Sequence, residues 1–415
     1  MKIGLVCPYN MFDRTGGVQQ VVQHLHDGLT KKGHIVKIIT PKPPGFKNEA
    51  PDDYIILGST TNFTAGFGAA GNWGLPTDSK EMAQILKKEK FDVINFHEPW
   101  APLLAWQMIR QTKAAFVGTF HANLFDRPST SSWVNVFTPY ARNLGKRLHV
   151  ITAVSPAPAA LMIQKAQTSF EKRMVADIKY IPNGVDLNIY KPFKKRLPLN
   201  GPDTKTVLYV GRLDRRKNVE ALIRAFALVE AKMPKAYLNI AGEGSRRGSL
   251  DQLAKTLGIK NIHFSGYVNE DEKRRLMGNA DVFCSPAIVG ESFGIVLIEA
   301  MAMGCPVVAG RNSGYIHVLT NTGRVGLVDP KATEDFAERL MVIISDGKLS
   351  STLRAWGLAE VKKFDYTKII DQYEKTYMEA YIKWRIEQHL NGVNSKNAKK
   401  FWKTKRRFPL RRFFR

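Results

Sequence analysis

The chain is 415 residues long, with 44% hydrophobic and 24% charged residues. That excludes a mainly disordered chain, a collagen and a disulfide scaffold, and gives room for two domains. Lys and Arg number 62 against 37 Asp and Glu, for a net charge of +25, and such an excess attracts phosphate-bearing partners: nucleotide, anionic lipid or nucleic acid.

Taken from the start, Lys2–Pro8 reads as a strand rather than as a secretion signal. Val18, Val21, Val22, Leu25 and Leu29 then recur at helical spacing, and Gly33 ends that helix. Ile35–Thr40, Asp92–His97, Ala114–His121 and Leu148–Ser155 read as further strands, apolar throughout as in buried parallel sheets. Between Pro41 and Thr77 the Gly-, Asn- and Pro-rich composition predicts a mobile loop region. Proline, glycine and charge cluster over 185–205, as expected of a linker. Beyond it, Val207–Leu213, Tyr237–Gly242, Ile262–Val268, Asp281–Pro286, Pro306–Gly310 and Val325–Asp329 read as strands with helices between, then Tyr366–Arg385 as a long helix. Two successive βα runs imply an α/β chain of two doubly wound domains, over 1–190 and 191–365. Residues 386–415 form a polybasic, aromatic tail in which no acid follows Glu387. Cys7, Cys284 and Cys305 are too few and too scattered for zinc or a disulfide framework, which suits a reducing compartment. No apolar run reaches the ~18 residues that cross a bilayer.

The motifs fall just after strands, where open α/β sheets bind ligands. The run from Gly290 to Met301 carries Glu291 and Glu299 eight residues apart. On one helix they would stand about 12 Å apart, too far for a glycosidase pair across one bond. A helix starting near Phe293 instead leaves Glu291 on a loop and aims the free amides of Phe293, Gly294 and Ile295 at an anion. Glu299 is then placed to accept from hydroxyls such as a ribose diol. Gly211-Arg212-Leu213-Asp214-Arg215-Arg216-Lys217 follows the first strand of the second half. Arg212 and Lys217 can offset a diphosphate, while Arg215 and Arg216 are expected to face solvent. No Asp-x-Asp pair occurs, so neither a metal clamp nor any other cofactor is expected. Gly16 and Gly17 open the first helix and allow close backbone approach, although a double glycine also suits a plain turn. Tyr9, Asn10 and Asp13 lie beside them, within reach of an acceptor polyol. His121, His97 and Glu98 end strands, where a structural role and a cleft-lining role are both open. Gly242-Glu243-Gly244 follows another strand and is expected to shape the same pocket.

IGLVCPYN with Gly16-Gly17-Val18-Gln19, FHEPWAP, GTFHA, IPNGVD, VGRLDRRKN, GYV and GESFGIVLIEAMAMGCPVVA together resemble retaining glycosyltransferases of glycosyltransferase family 4, and among them the bacterial phosphatidylinositol alpha-mannosyltransferases. The resemblance covers about residues 1–385. It implies a GT-B fold, in which two Rossmann-like domains face an interdomain cleft and the C-terminal helix crosses back to the first. It implies acceptor binding by the first domain, with the Gly16–Gly17 loop closing over donor phosphate and acceptor. The second domain would bind the nucleotide sugar: Arg212 and Lys217 on the diphosphate, Glu291 and Glu299 on the donor, Val268 against the base. Glu270 or Lys273 would then tell guanine from uracil. His121 would face the transferred sugar. The reaction implied is hexose transfer with retained configuration, with GDP-mannose as donor and phosphatidylinositol as acceptor. A UDP-sugar and another lipid or a soluble polyol stay open as the alternative. The basic tail and the lysines at 80, 87, 88 and 90 imply a peripheral site on the inner face of the plasma membrane, with anionic lipid and not nucleic acid as partner. Against this stand a hydrolase or phosphorylase on the same frame, and a nucleic-acid module led by the tail.

Overall fold

The computed structural model describes residues 1–12, 16–43, 45–46, 50–64, 70–74, 78–99, 104–123, 143–166 and 168–392. Asp13, the end of FHEPWAP and the tail beyond 392 lie outside the described residues.

The first half of the chain builds β1 (Lys2–Val6), α1 (Gly17–Lys31), β2 (Ile35–Lys42), β3 (Tyr54–Thr64), β4 (Ala70–Gly74), α2 (Ser79–Glu89), β5 (Val93–His97) and α3 (Leu104–Gln111). β6 (Ala115–Phe120), β7 (Val150–Ala153), α4 (Pro156–Lys165), α5 (Ser169–Ala176) and β8 (Lys179–Tyr180) complete it. The eight strands form one sheet in the order β4-β3-β2-β1-β5-β6-β7-β8. It is parallel except where β4 turns back antiparallel on β3. β1, β5 and β6 are buried almost throughout because helices cover both faces.

The 41–77 segment departs from its expectation. Instead of a loop region, it carries β3 and β4, with Tyr54–Ile56 in register beside Ile38–Thr40 of β2. The YIIL run of β3 is β-branched and aromatic enough to join the sheet. β4 then pairs antiparallel with the end of β3, and its AGNWG sequence carries no apolar alternation to read.

The second half builds β9 (Lys205–Val210), α6 (Val219–Lys232), β10 (Ala236–Ala241), α7 (Arg247–Thr256), β11 (Ile262–Gly266), α8 (Glu270–Asn279) and β12 (Val282–Ser285). Then come α9 (Ile295–Ala302), β13 (Val307–Gly310), β14 (Leu327–Val328), α10 (Thr333–Ser345) and α11 (Gly347–Glu360). Its six strands run β11-β10-β9-β12-β13-β14, all parallel. Strand order reverses between β1 and β5 in one sheet and between β9 and β12 in the other, and crevices open there beyond the strand ends.

The last helix, α12 (Tyr366–Gly392), runs beyond the predicted Arg385 and returns to the first domain. Its Ile369, Ile370, Tyr373 and Tyr377 share a core with Ile3, Leu5 and Val117. The two passages between domains are tied together. The Val185 N–H donates to the Phe364 carbonyl at 2.8 Å, and Tyr366 N–H donates back to Val185 O at 3.2 Å. Among the described residues, no helix is long and apolar enough to cross a membrane.

Candidate active site

On the second domain, the loop after β9 folds back on itself. Asp214 Oδ1 accepts from the Lys217 amide at 3.1 Å, while its Oδ2 pairs with Arg212 at 3.4 Å. Lys217 Nζ is thereby turned onto Glu291 Oε1 at 2.8 Å. Arg216 does not face solvent as expected. Its guanidinium donates to Gly290 O at 2.7 Å and stands 3.5 Å from Glu291. A carbonyl and a carboxylate converging from the β12–α9 loop outweigh its hydration, whereas Arg215 stays exposed. Arg212 keeps about half its side chain open, at 51%. Gly211, just before it, is pinned by its N–H to Ala241 O at 3.0 Å.

The helix behind Glu291 begins later than predicted. α9 opens at Ile295, with Gly294 as its cap at φ +101°. A Cβ there would lie 2.6 Å from the Tyr315 ring, so no other residue fits. Leu297 N–H is already given to Gly294 O at 3.0 Å. The first-turn donors without an intrahelical partner are therefore those of Gly294, Ile295 and Val296, not Phe293. Phe293 is core, edge-on to Phe364 at 5.4 Å.

Glu299 is buried, with a partner the sequence did not show. Lys273 Nζ meets its Oε1 at 3.0 Å and Glu270 Oε1 at 2.9 Å. Tyr190 OH closes the cluster, 2.6 Å from Glu270 and 3.3 Å from Glu299. Burial raises the Glu299 carboxyl above its usual range, and the Lys273 ammonium pulls against that. Its Oε2 is buried without a hydrogen-bond partner. Lys273 and Glu270 are thus taken up by this cluster. Val268 lines a cavity of about 550 Å³ between β11 and α8, with Asn239, His263 and Ser265.

On the first domain, His121 follows β6. Glu98 accepts from the His121 and Ala122 amides at 2.8 Å each. Burial raises its carboxyl to about 7. His121 Nε2 lies 2.9 Å from His97 Nδ1. Burial lowers His97 well below 6.5 and His121 to about 3, so both rings are neutral near pH 7. Asn10 is spent on its own loop, its Oδ1 accepting from Phe12 N–H at 2.9 Å. Tyr9 lies near Glu98, and burial raises its hydroxyl pKa.

The two halves meet where the motifs are. A Cβ on Gly17 would sit 3.2 Å from Ile295 Cδ1, so the glycine loop lies against the start of α9. Gly16, the residue before, caps α1. Asn123 bridges the domains: its N–H donates to Ser292 Oγ at 2.9 Å, and its Nδ2 donates to Ser313 Oγ at 2.7 Å and Glu291 O at 3.3 Å. Ser155, after β7, donates to Ser292 O. Sequence reasoning missed Asn123, Ser155, Ser292 and Tyr190. Their only signal was position, just after a strand or in the linker.

Residues 15–189 match the family model Glycosyltransferase Family 4, and residues 191–357 match Glycosyl transferases group 1. The chain is 31% identical over 387 residues to the phosphatidyl-myo-inositol mannosyltransferase of Mycobacterium tuberculosis, covering 91% of this chain and 96% of that one. This chain belongs to glycosyltransferase family 4. The Mycolicibacterium smegmatis phosphatidyl-myo-inositol mannosyltransferase is 30% identical, over 91% of the glycosyltransferase described here and 93% of its own length. The fold is shared with sucrose-phosphate synthase of Thermosynechococcus elongatus, with a TM-score of 0.73 over 92% of this chain and 99% of that one at 22% identity. It is also shared with Anabaena HepE, solved with UDP and glucose, with a TM-score of 0.70 over 91% and 99% at 20% identity. The glycosyltransferase is a GT-B protein, its two Rossmann-like domains facing one cleft.

Proposed function

We propose that this glycosyltransferase moves mannose from GDP-mannose onto a phosphatidylinositol-type lipid, with retention at the anomeric carbon. What carries the reading is a pair of cations, Lys217 beside Glu291 and Arg212 beside Asp214, on the loop opposite the opening turn of α9. The similarity to mannosyltransferases along nearly the whole chain supports the choice of sugar and lipid.

In this reading the bond from C1 of the sugar to the phosphate oxygen breaks, and its electron pair leaves with GDP. The acceptor hydroxyl oxygen bonds C1 on the same face, and its proton passes to the departing phosphate. Lys217, Arg212 and the amides of Ile295 and Val296 stabilise the charge that grows on the diphosphate. With those cations offsetting the charge, chelators leave turnover unchanged. Glu299 Oε2 takes a ribose hydroxyl. Asn123 holds the domains closed while donor and acceptor are aligned.

Acceptor access follows from the outer face of α2. Met82 and Leu86 are buried, Glu89 is paired with Lys2 at 2.6 Å, and Lys80, Lys87, Lys88 and Lys90 are exposed. That face, with the basic tail, suits the anionic inner surface of the plasma membrane.

The test is direct. Enzyme, labelled GDP-mannose and vesicles containing phosphatidylinositol should yield one mannosylated lipid per GDP released, and GDP-mannose should raise the melting temperature. Transfer from UDP-sugars alone, or no lipid product, would overturn the assignment.

A further inference from the structure

We propose that Asn95 and His97, backed by Tyr377 of α12, form a hydrogen-bonded relay that fixes the His121 proton on Nδ1, so that this ring meets the transferred sugar as a donor. The sugar in that statement rests on the functional reading above; the position of the proton does not.

The proton positions follow from a count of donors. Thr152 Oγ1 donates to Thr119 Oγ1 at 2.8 Å, and Thr119 Oγ1 donates in turn to Asn95 Oδ1 at 2.9 Å. The Tyr373 hydroxyl is bonded to the same two threonines. These bonds orient the Asn95 amide. Its Nδ2 then faces Tyr377 OH at 2.8 Å and His97 Nε2 at 3.2 Å. An amide nitrogen donates and does not accept, so His97 Nε2 is the acceptor. A neutral imidazole has one N–H, so that of His97 is on Nδ1 and points across 2.9 Å to His121 Nε2. The ring centroids stand 5.1 Å apart with their planes 22° from parallel, which leaves room for one N–H···N bond between the ring edges. By the same count, His121 Nε2 accepts and its proton is on Nδ1.

The relay works because the rings stay neutral. His97 is 1% exposed and His121 6%, and burial disfavours both imidazolium forms. The carboxyl beside them, Glu98, accepts from two backbone amides with its two oxygens, and burial favours its uncharged form. Asn95, Thr119 and Thr152 are fully buried, and Tyr377 and Tyr373 come from the helix that crosses back. The element that closes the two-domain frame therefore also orders the protons beneath the site. His97, Asn95 and Thr119 are positioning residues: they act through His121.

The experiment is ring-nitrogen NMR on full-length enzyme carrying ¹⁵N-labelled histidine, with His121 assigned by its disappearance in His121→Gln. The expected result is a single neutral tautomer, Nδ1 protonated and Nε2 bare. A proton on Nε2, or an even mixture, would overturn the relay whatever the enzyme's activity. In Asn95→Leu the tautomers should mix, and kcat should fall about tenfold with donor KM changed less than about twofold, because the group lost acts in the transition state. Thr119→Val, which frees the Asn95 amide to flip with little change of volume, reads the same mixing should the first variant not fold. A single Nδ1–H tautomer persisting in the folded variants would overturn the proposal. An intact tautomer with no sugar transfer of any kind would sink the functional reading and leave the relay standing.

Discussion

On the second domain the cleft is lined by charge held in pairs: Lys217 with Glu291, Lys273 with Glu299, Arg212 with Asp214. On the first domain it is backed by neutral polar groups held in a buried chain, Tyr377, Asn95, His97 and His121, with Asn123 at the rim. Both solve the problem of keeping polar atoms out of water without stranding them. They differ in what a ligand can do to them. A pair of opposite charges gives up part of its attraction when a phosphate arrives, and stays charged throughout. A neutral chain has fixed donors and acceptors, and selects hydroxyls by direction. The contrast suits one wall that meets a leaving diphosphate and another that meets a sugar.

The largest expected effect lies at Lys217. Lys217→Ala removes a cation from the charged wall and leaves the buried Glu291 carboxylate with Arg216 alone. We expect kcat/KM to fall about 10³-fold, near the upper end for losing one preorganised electrostatic group. Steady-state kinetics beside thermal melting checks this. If the loss were under tenfold in a protein that melts normally, the charged wall would not be the leaving-group wall.

Next comes Glu299→Gln. The amide keeps the shape but removes the anion from Lys273, and weakens the oxygen offered to a ribose hydroxyl. Bonds to charged groups are worth about 1.5–3 kcal/mol, so donor affinity should drop up to about 100-fold. Calorimetric titration with GDP should show it without sugar present, and a loss seen in kcat alone would move Glu299 away from the nucleoside.

The neutral wall predicts a dependence on acid. Unfolded imidazoles take up protons below their ordinary value of 6.5, whereas folded His121 resists until about 3. The unfolded state therefore binds more protons, and stability falls as pH drops below 6.5. Between pH 6.5 and 5 the His121 contribution amounts to about 2 kcal/mol. Glu98 acts with the opposite sign, since its raised carboxyl takes up its proton in the folded state first. It is present in both proteins and cancels when wild type is compared with His121→Gln. The stability gap between the two should shift toward the variant by that amount on acidification, as measured by urea unfolding at both pH values. An unchanged gap would mean that the ring is not held neutral.

Much of this contrast is legible in the sequence, but unevenly. The second domain follows its sequence closely: Lys205–Val210, Ala236–Ala241 and Val282–Ser285 are apolar runs that can be little else. The charged wall was legible because a cationic loop and two glutamates announce themselves locally. The neutral wall was not. Asn95 and Tyr377 are 282 residues apart and meet because α12 crosses back over β5 and β6. Arg216 was misread because the Gly290 carbonyl that captures it comes from another strand end. The start of α9 slipped from Phe293 to Ile295 because Gly294 takes a left-handed turn that sequence spacing does not reveal.

The smallest expected effect sharpens the charged wall. Arg212 is half open and pairs with Asp214 at 3.4 Å, so its guanidinium is less committed than the Lys217 ammonium. Arg212→Lys keeps the charge and removes the planar fork that grips two phosphate oxygens at once. If Arg212 acts by charge alone, the change costs little. If it acts as a two-point clamp, one hydrogen bond to a charged group is lost and kcat/KM should fall about tenfold. The melting temperature should stay put, since the residue is largely in solvent. Raising the salt separates the two cases further. Bulk screening weakens a point charge in open water more than a directed pair of short bonds, so the wild-type rate should be less salt-sensitive than that of Arg212→Lys.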